Sequence, residues 1–231
     1  MSKQLLATIA EQRARTSWIL SYGDMVTLLI TFFIMMITVQ AGQIQKVHEW
    51  VDDRLDDAAA EVQSVIDNSG IEGFTVARDS KGVRITLNDP RLFETASAEP
   101  RRDMLYQIDG LSRAIGNLTI FNLEQTEHAA FLREIQGNGL AWQVELRIEG
   151  HTDNVPIGRN AIYRDNWELS AARAQTIMKE LQQRTGLPPD DFAIGGFGEF
   201  QPIGDNATSS GRDLNRRVEV FIDAAVVSAS R

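Results

Sequence analysis

Cysteine is absent from the 231 residues, which excludes both a disulfide framework and a thiolate metal site. Histidine is almost as scarce. His48, His128 and His151 lie far apart and lack the short pair spacing of zinc ligands. Basic residues form no cluster: 23 Lys and Arg are scattered among 32 Asp and Glu, giving a formal charge of −9. That pattern leaves no electrostatic footprint for nucleic acid. No motif sets a nucleophile beside a base, so the chain reads as a non-enzyme with no cofactor and no metal. Gly195-Gly-Phe-Gly198 follows a strand-like run but meets Pro202 instead of opening a helix, which excludes a dinucleotide loop. Long apolar runs are missing too, except for one.

That run, residues 18–39, would be ~33 Å long as a helix at 1.5 Å per residue, enough to cross a bilayer. From Met25 to Val39 it carries no formal charge. It lacks the small-x-small end of a cleaved signal peptide, and Asp24 would fall inside the apolar core of one. Lys3, Arg13 and Arg15 precede it against Glu11 alone, whereas the far flank offers Lys46 and then acids. The positive-inside rule therefore predicts a single-pass inner-membrane protein, with a cytoplasmic N-terminus and a periplasmic C-terminal part. The expected segments are a cytoplasmic arm over 1–16, a transmembrane helix over 17–41, a linker helix over 42–70 and a folded domain over 71–231.

Asp24 is the residue that the span does not need for anchoring. A carboxylate in a spanning helix costs about 2.5–3.5 kcal/mol on insertion scales. It either reaches for water at the border or faces a protein interior or wet cavity. In the second case it can load and release an ion, H+ or Na+, and 100 mV supplies ~2.3 kcal/mol per charge to drive the cycle. Thr27 and Thr31, with Thr38, continue a weakly polar stripe below it. These threonines either line the ion path or bond back to their own helix. One helix cannot enclose a pathway, so a channel subunit is an expected partner.

Beyond the span, Ile44, Val47, Val51, Leu55, Ala58, Val62 and Val65 recur every ~3.5 residues, the period of a left-handed coiled coil. Acids such as Asp52, Asp53, Asp56 and Asp57 fill the outer faces. Two readings stay open: a dimerising coiled coil, or an amphipathic helix lying on the membrane or against the next domain. Asn68-Ser69-Gly70 ends it.

The remainder alternates strands and helices, which predicts a mixed α/β domain with helices against one sheet. Strands are expected over 82–87, 142–149, 192–196 and 217–223, and helices over 98–118, 126–136 and from Trp167 to a stop at Gly186 and Pro188. Trp167, Ala171, Ala174, Ile177 or Met178, and Leu181 are the expected buried stripe of the last helix. Asn166, Ser170 and Arg173 then share the opposite face. If Ser170 were the N-cap, Arg173 would stand in the first turn, where the helix dipole disfavours a cation.

Two sets of residues carry a family resemblance. Trp18-(x)₃-Tyr22-Gly23-Asp24-Met25-Val26-Thr27-Leu28-Leu29-Ile30-Thr31-Phe32-Phe33 resembles the MotB-type stator signature of ion-driven motors. Gly150-His151-Thr152-Asp153, Asn166-Trp-Glu-Leu169-Ser170-Ala-Ala-Arg173-Ala174, Phe197-Gly198-Glu199 before Pro202, and Asn215-Arg216-Arg217 together resemble the OmpA-like peptidoglycan-binding domain. The first resemblance implies that Asp24 carries the ion. It also implies a homodimer whose two spanning helices sit inside a pentamer of a multi-pass MotA- or ZorA-like partner, a five-to-two complex. In that family residues 42–70 can plug the ion path. The second implies an OmpA-like mixed α/β sandwich binding peptidoglycan through Thr152, Asp153, Asn166, Leu169, Arg173, Arg216 and Arg217, with Asp153 and Arg173 gripping diaminopimelate. A zwitterionic group of that kind needs one fixed anion and one guanidinium fork. A structural ion pair between Asp153 and Arg173 or Arg217 is the plainer alternative. The linker is shorter than that of flagellar members, and 119–139 is longer than the usual connection and predicts an added helix. A flagellar stator subunit is the default reading. The alternatives are a Zorya-type antiphage motor subunit and a passive wall tether.

Overall fold

A computed structural model describes residues 3–80, 82–158 and 161–229; the side chains of several residues in its first helix, Ile44 among them, lie outside the described residues. The chain divides into two compact units, residues 1–50 and 51–231.

The first helix, α1, runs Lys3–Ser69. In the first unit it holds Trp18–Val39, the one stretch among the described residues that is long and apolar enough to cross a membrane, with mean hydropathy 1.9. The side chains of this stretch are exposed almost throughout. The threonine hydroxyls donate to carbonyls of their own helix: Thr27 to Asp24 (2.8 Å), Thr31 to Leu28 (2.9 Å) and Thr38 to Met35 (2.8 Å). Such back-bonding satisfies the donor and leaves the hydroxyl oxygen able to accept.

The second unit contains a five-stranded sheet in the order β1-β2-β5-β3-β4. Its strands are β1 Phe74–Arg78, β2 Gly82–Leu87, β3 Leu140–Gly150, β4 Phe192–Gly196 and β5 Val218–Ser228. All neighbours are antiparallel except β3 and β4, which run parallel and are joined through helix α4, Asn166–Thr185. Alternation of side chains separates the two faces of the sheet. Ile85, Val220 and Ile148 stand in one row and Val83, Ile222 and Leu146 in the next, all buried against the helices. Ile108, Leu111 and Ile115 of α2 (Leu105–Gly116) and Ala174, Ile177 and Leu181 of α4 complete that core.

Leu55, Ala58, Val62 and Ile66 of α1 belong to the same core. The apolar seam beyond the span is therefore used, from Val51 onward, against the chain's own domain rather than left free for a second copy. Arg78 of β1 pairs with Asp52 and Asp56, and the Thr119 amide donates to Glu61 (2.9 Å).

Several boundaries differ from expectation. The stretch 98–118 is helical only from Arg102, first as a short 3-10 turn and then as α2, because Pro100 and Arg101 are extended. Strand β1 has no clean alternation: Thr75 is exposed and its other side chains are half-buried. Segment 119–139 forms two 3-10 turns and α3, Ala129–Gly137, whose Leu132 and Ile135 are buried within this chain. Helix α4 is capped by Asp165, whose side chain accepts from the Glu168 amide, and closes at Gly186 with φ 72°. Ser170 is thus not the N-cap, and Arg173 sits in the third turn, clear of the dipole's positive end. Trp167 is 49 % exposed and stands outside the buried stripe, while Ser170 and Arg173 are buried inside the fold.

Candidate functional site

The site grows from the C-terminal end of β3. Gly150 is required there: a Cβ would come within 2.0 Å of the Ser170 carbonyl oxygen, so only glycine lets α4 lie directly on the strand end. The backbone that follows is laced to the loop after β4. The Thr152 amide donates to Gly198 O (2.9 Å), the Phe197 amide to Gly150 O (3.0 Å) and the Gly198 amide to Ser170 Oγ (2.9 Å). Asn166, the first residue of α4, donates from Nδ2 to Asp153 O and Val155 O (3.2 Å each) and to Glu199 Oε2 (2.8 Å). One amide thus ties the start of α4 to both loops.

These ties shape a cleft of about 390 Å³ that brings together Thr152, Asp153, Asn166, Leu169, Arg173 and Arg216. Asp153 is nearly buried. Its Oδ1 accepts from the Val155 amide (3.1 Å) and its Oδ2 from Arg216 (2.5 Å), so the ion pair observed uses Arg216, not Arg173 or Arg217. Arg173 donates from Nε to Ser97 O (2.9 Å) and lies over the Phe93 ring, 4.8 Å from its centre. Burial, opposed by the charge of Asp153, lowers its guanidinium to about 10, which still leaves it cationic at neutral pH. Thr152 is buried, and its hydroxyl has no partner among the described residues. A buried hydroxyl without a partner is uncommon in a folded chain, and this one lines the cleft.

The far wall comes from 89–96, which the sequence did not signal as part of the site. Asp89, Phe93 and Glu94 line it. Asp89 is held below the usual carboxylate range, chiefly by the hydrogen bond from Arg91. The signal available was the lack of either helical or alternating periodicity there, bracketed by Pro90 and Pro100.

Arg217 is the one expected binding residue that lies elsewhere. It is 4 % exposed, pairs with Glu219 (2.7 Å) and opens on the other face of the sheet. Glu219 and Glu149 are cross-strand partners there, a like-charge contact that Arg217 and Arg147 neutralise. His151, Glu149 and Glu219 offer three ligand atoms within 4.8 Å of one another. Both carboxylates already hold guanidinium partners, so the cluster reads as internal ionic packing. His151 stacks on Phe197 (5.3 Å), and burial brings it down to about 4, which keeps it neutral.

In the first unit Asp24, Thr27 and Thr31 share the helix but no enclosing wall. The three are exposed, and no side chain among the described residues engages the Asp24 carboxylate.

Comparison with known proteins matches both units. The family described as membrane MotB of the proton-channel complex MotA/MotB matches residues 7–53, and the OmpA family matches 121–216. An uncharacterized Bacillus subtilis protein, YtxE, is 25 % identical over 94 % of this chain and 93 % of its own length. Motility protein B of Bacillus subtilis is 30 % identical over 74 % of this chain, and the match spans only 56 % of that protein. A crystal structure of the periplasmic domain of MotB superposes with a TM-score of 0.53 at 26 % identity, covering 67 % of this chain and 70 % of that one. None of these matches is named as an enzyme. The chain is a MotB-like protein with a C-terminal OmpA-like domain.

Proposed function

We propose that this chain is the ion-carrying, peptidoglycan-anchored B subunit of a membrane motor of the flagellar-stator type. The observation that carries the reading is Asp24, the one charged side chain within residues 18–39, in the segment that matches the MotB family. Asp24 takes up H+ or Na+ from one side and releases it to the other, with Thr27 and Thr31 offering hydroxyl oxygens along the same helix. A multi-pass MotA-like partner supplies the walls that a lone helix lacks, around a dimer of this chain.

The cleft provides the reaction point. Arg173 and Arg216 offer cations, Asp153, Asp89 and Glu94 offer anions, and Thr152 offers an unpartnered hydroxyl. That set suits a ligand carrying both a carboxylate and an ammonium group, as the diaminopimelate of a peptidoglycan stem does. Torque on Asp24 is useful only if the subunit is held still, and wall binding holds it.

Co-expression of the chain with its multi-pass partner, followed by ion-flux and sacculus-binding assays, tests the reading. Asp24→Asn is expected to abolish flux while leaving assembly and sacculus binding intact. Undiminished flux in that variant would reduce the chain to a passive tether.

A further inference from the structure

Trp167 and Phe200 stand beside the cleft and are not part of the core. Their rings stack with centres 5.2 Å apart, yet Trp167 is 49 % exposed and Phe200 63 % exposed. Single exposed apolar residues are ordinary. Two aromatics held against each other in water, at the rim of a polar site, leave apolar area uncovered without contributing to folding.

The backbone fixes the pair in place. Gly198 adopts φ 55° and passes so close to the start of α4 that a Cβ there would lie 3.3 Å from the Trp167 amide nitrogen. The Phe200 amide then donates to Phe197 O (3.2 Å), and neighbouring Glu199 accepts from Asn166 (2.8 Å). Asn166 lines the cleft and immediately precedes Trp167. The rings therefore form a rigid platform attached to the binding site, with little left to order on binding.

We propose that the Trp167–Phe200 platform is a glycan subsite, on which a pyranose of the peptidoglycan sugar strand packs its C–H face while the stem peptide occupies the cleft. A pyranose presents an apolar face ringed by hydroxyls, which suits an exposed aromatic surface. Diaminopimelate is the third residue of the stem, so the extended peptide places the sugar on the order of 10–15 Å from it. The subsite rests on the peptidoglycan reading given above and adds the sugar strand to it.

Titration of the full-length chain in detergent with two synthetic probes tests the proposal: a stem tripeptide ending in diaminopimelate, and the same tripeptide on its disaccharide. Unaltered protein should bind the disaccharide form about three- to tenfold more tightly. Trp167→Ala and Phe200→Ala should erase that difference and leave tripeptide affinity unchanged, and Trp167→Phe should restore most of it. Equal affinity for the two probes, or a parallel loss of both in Trp167→Ala, would overturn the subsite. Phe200 sits in a loop, so its variant remains informative if Trp167→Ala loses thermal stability. Disaccharide binding that depends on Trp167 without any tripeptide binding would uphold the subsite and remove the peptide reading instead.

Discussion

The membrane helix and the C-terminal unit handle their carboxylates in opposite ways. Asp24 stands exposed with no side-chain partner among the described residues, in a stretch that is otherwise apolar apart from Ser21, Tyr22 and threonines bonded to their own helix. Asp153, Glu149 and Glu219 are nearly buried, and each has an arginine beside it. A buried carboxylate is tolerated when it is paired and hydrogen-bonded. The C-terminal unit meets that condition from its own sequence. Among the described residues the spanning helix does not, and in the function proposed above its carboxylate takes its environment from the channel partner.

Crossing the two sites tests that division most severely. If they are independent, Arg173→Ala should weaken tripeptide binding by about a hundredfold, the scale on which removal of a buried charged partner is felt. The Asp24→Asn change should not alter that affinity, and the double variant should match Arg173→Ala alone. Isothermal titration of the four proteins checks this, with thermal melts to confirm folding. Coupling of more than about threefold would show that the cleft senses the membrane residue and would break the division.

The linker half of α1 lies on the C-terminal side of the comparison. Leu55 is 2 % exposed against the sheet, so Leu55→Ala should destabilise the C-terminal unit by about 3 kcal/mol. Val47→Ala, at a half-buried position in the first unit, should leave its unfolding midpoint unchanged. Equal effects at the two positions would mean that the apolar seam serves a second chain along its whole length. Chemical denaturation followed by the near-ultraviolet signal of Trp142 and its neighbours separates these outcomes.

Sequence periodicity revealed the seam but not its partner, because a helix that packs on a second copy and one that packs on a sheet bury the same stripe. The motif residues were legible for a different reason. Gly150, Asp153, Asn166, Leu169 and Arg173 lie near the end of one strand and the start of one helix, and local order carries them into one cleft. Arg216 and Arg217 show where that reading stops. Arg216 caps the short helix Ser209–Asn215 while Arg217 leads into β5, so the two side chains diverge, and the sequence alone did not tell which of them turns toward Asp153. The loop 89–96 was illegible because it reaches the cleft from about 60 positions upstream without a periodic pattern. Trp167 was placed in the core by helical spacing, but it lies only one position inside α4, where the sheet no longer covers the helix.

The buried neutral histidine gives the C-terminal unit a pH-dependent stability. Burial, together with the Arg217 charge, keeps His151 neutral down to about 4, while the unfolded chain takes up its proton near the ordinary value of 6.5. As pH falls below 6.5 the unfolded state binds a proton that the folded state refuses. The stability contribution is thus full above about 6.5 and declines toward 4, by about 2 kcal/mol at pH 4.5. His151→Phe, which keeps the stack on Phe197, should flatten that part of the profile. Thermal melts of both proteins between pH 7.5 and 4.5 measure it; parallel profiles would mean that His151 is wetter than its surroundings indicate.

The smallest effect separates the two kinds of contact that hold α1 to the domain. Arg78 reaches Asp52 and Asp56 at 2.8 Å each, but both acids are about two-thirds exposed. Solvent screens such pairs, and ordering the long Arg78 side chain with two acids offsets much of the attraction. Arg78→Ala should therefore destabilise by no more than about 1 kcal/mol, and most of the difference should vanish in 1 M salt, where the Debye length is about 3 Å. The Leu55→Ala penalty should persist at the same salt, because burial of apolar surface does not depend on charge. If salt instead released the helix in otherwise unaltered protein, the attachment would be electrostatic, and the acids on the outer face of the linker, rather than its apolar seam, would decide when it comes away.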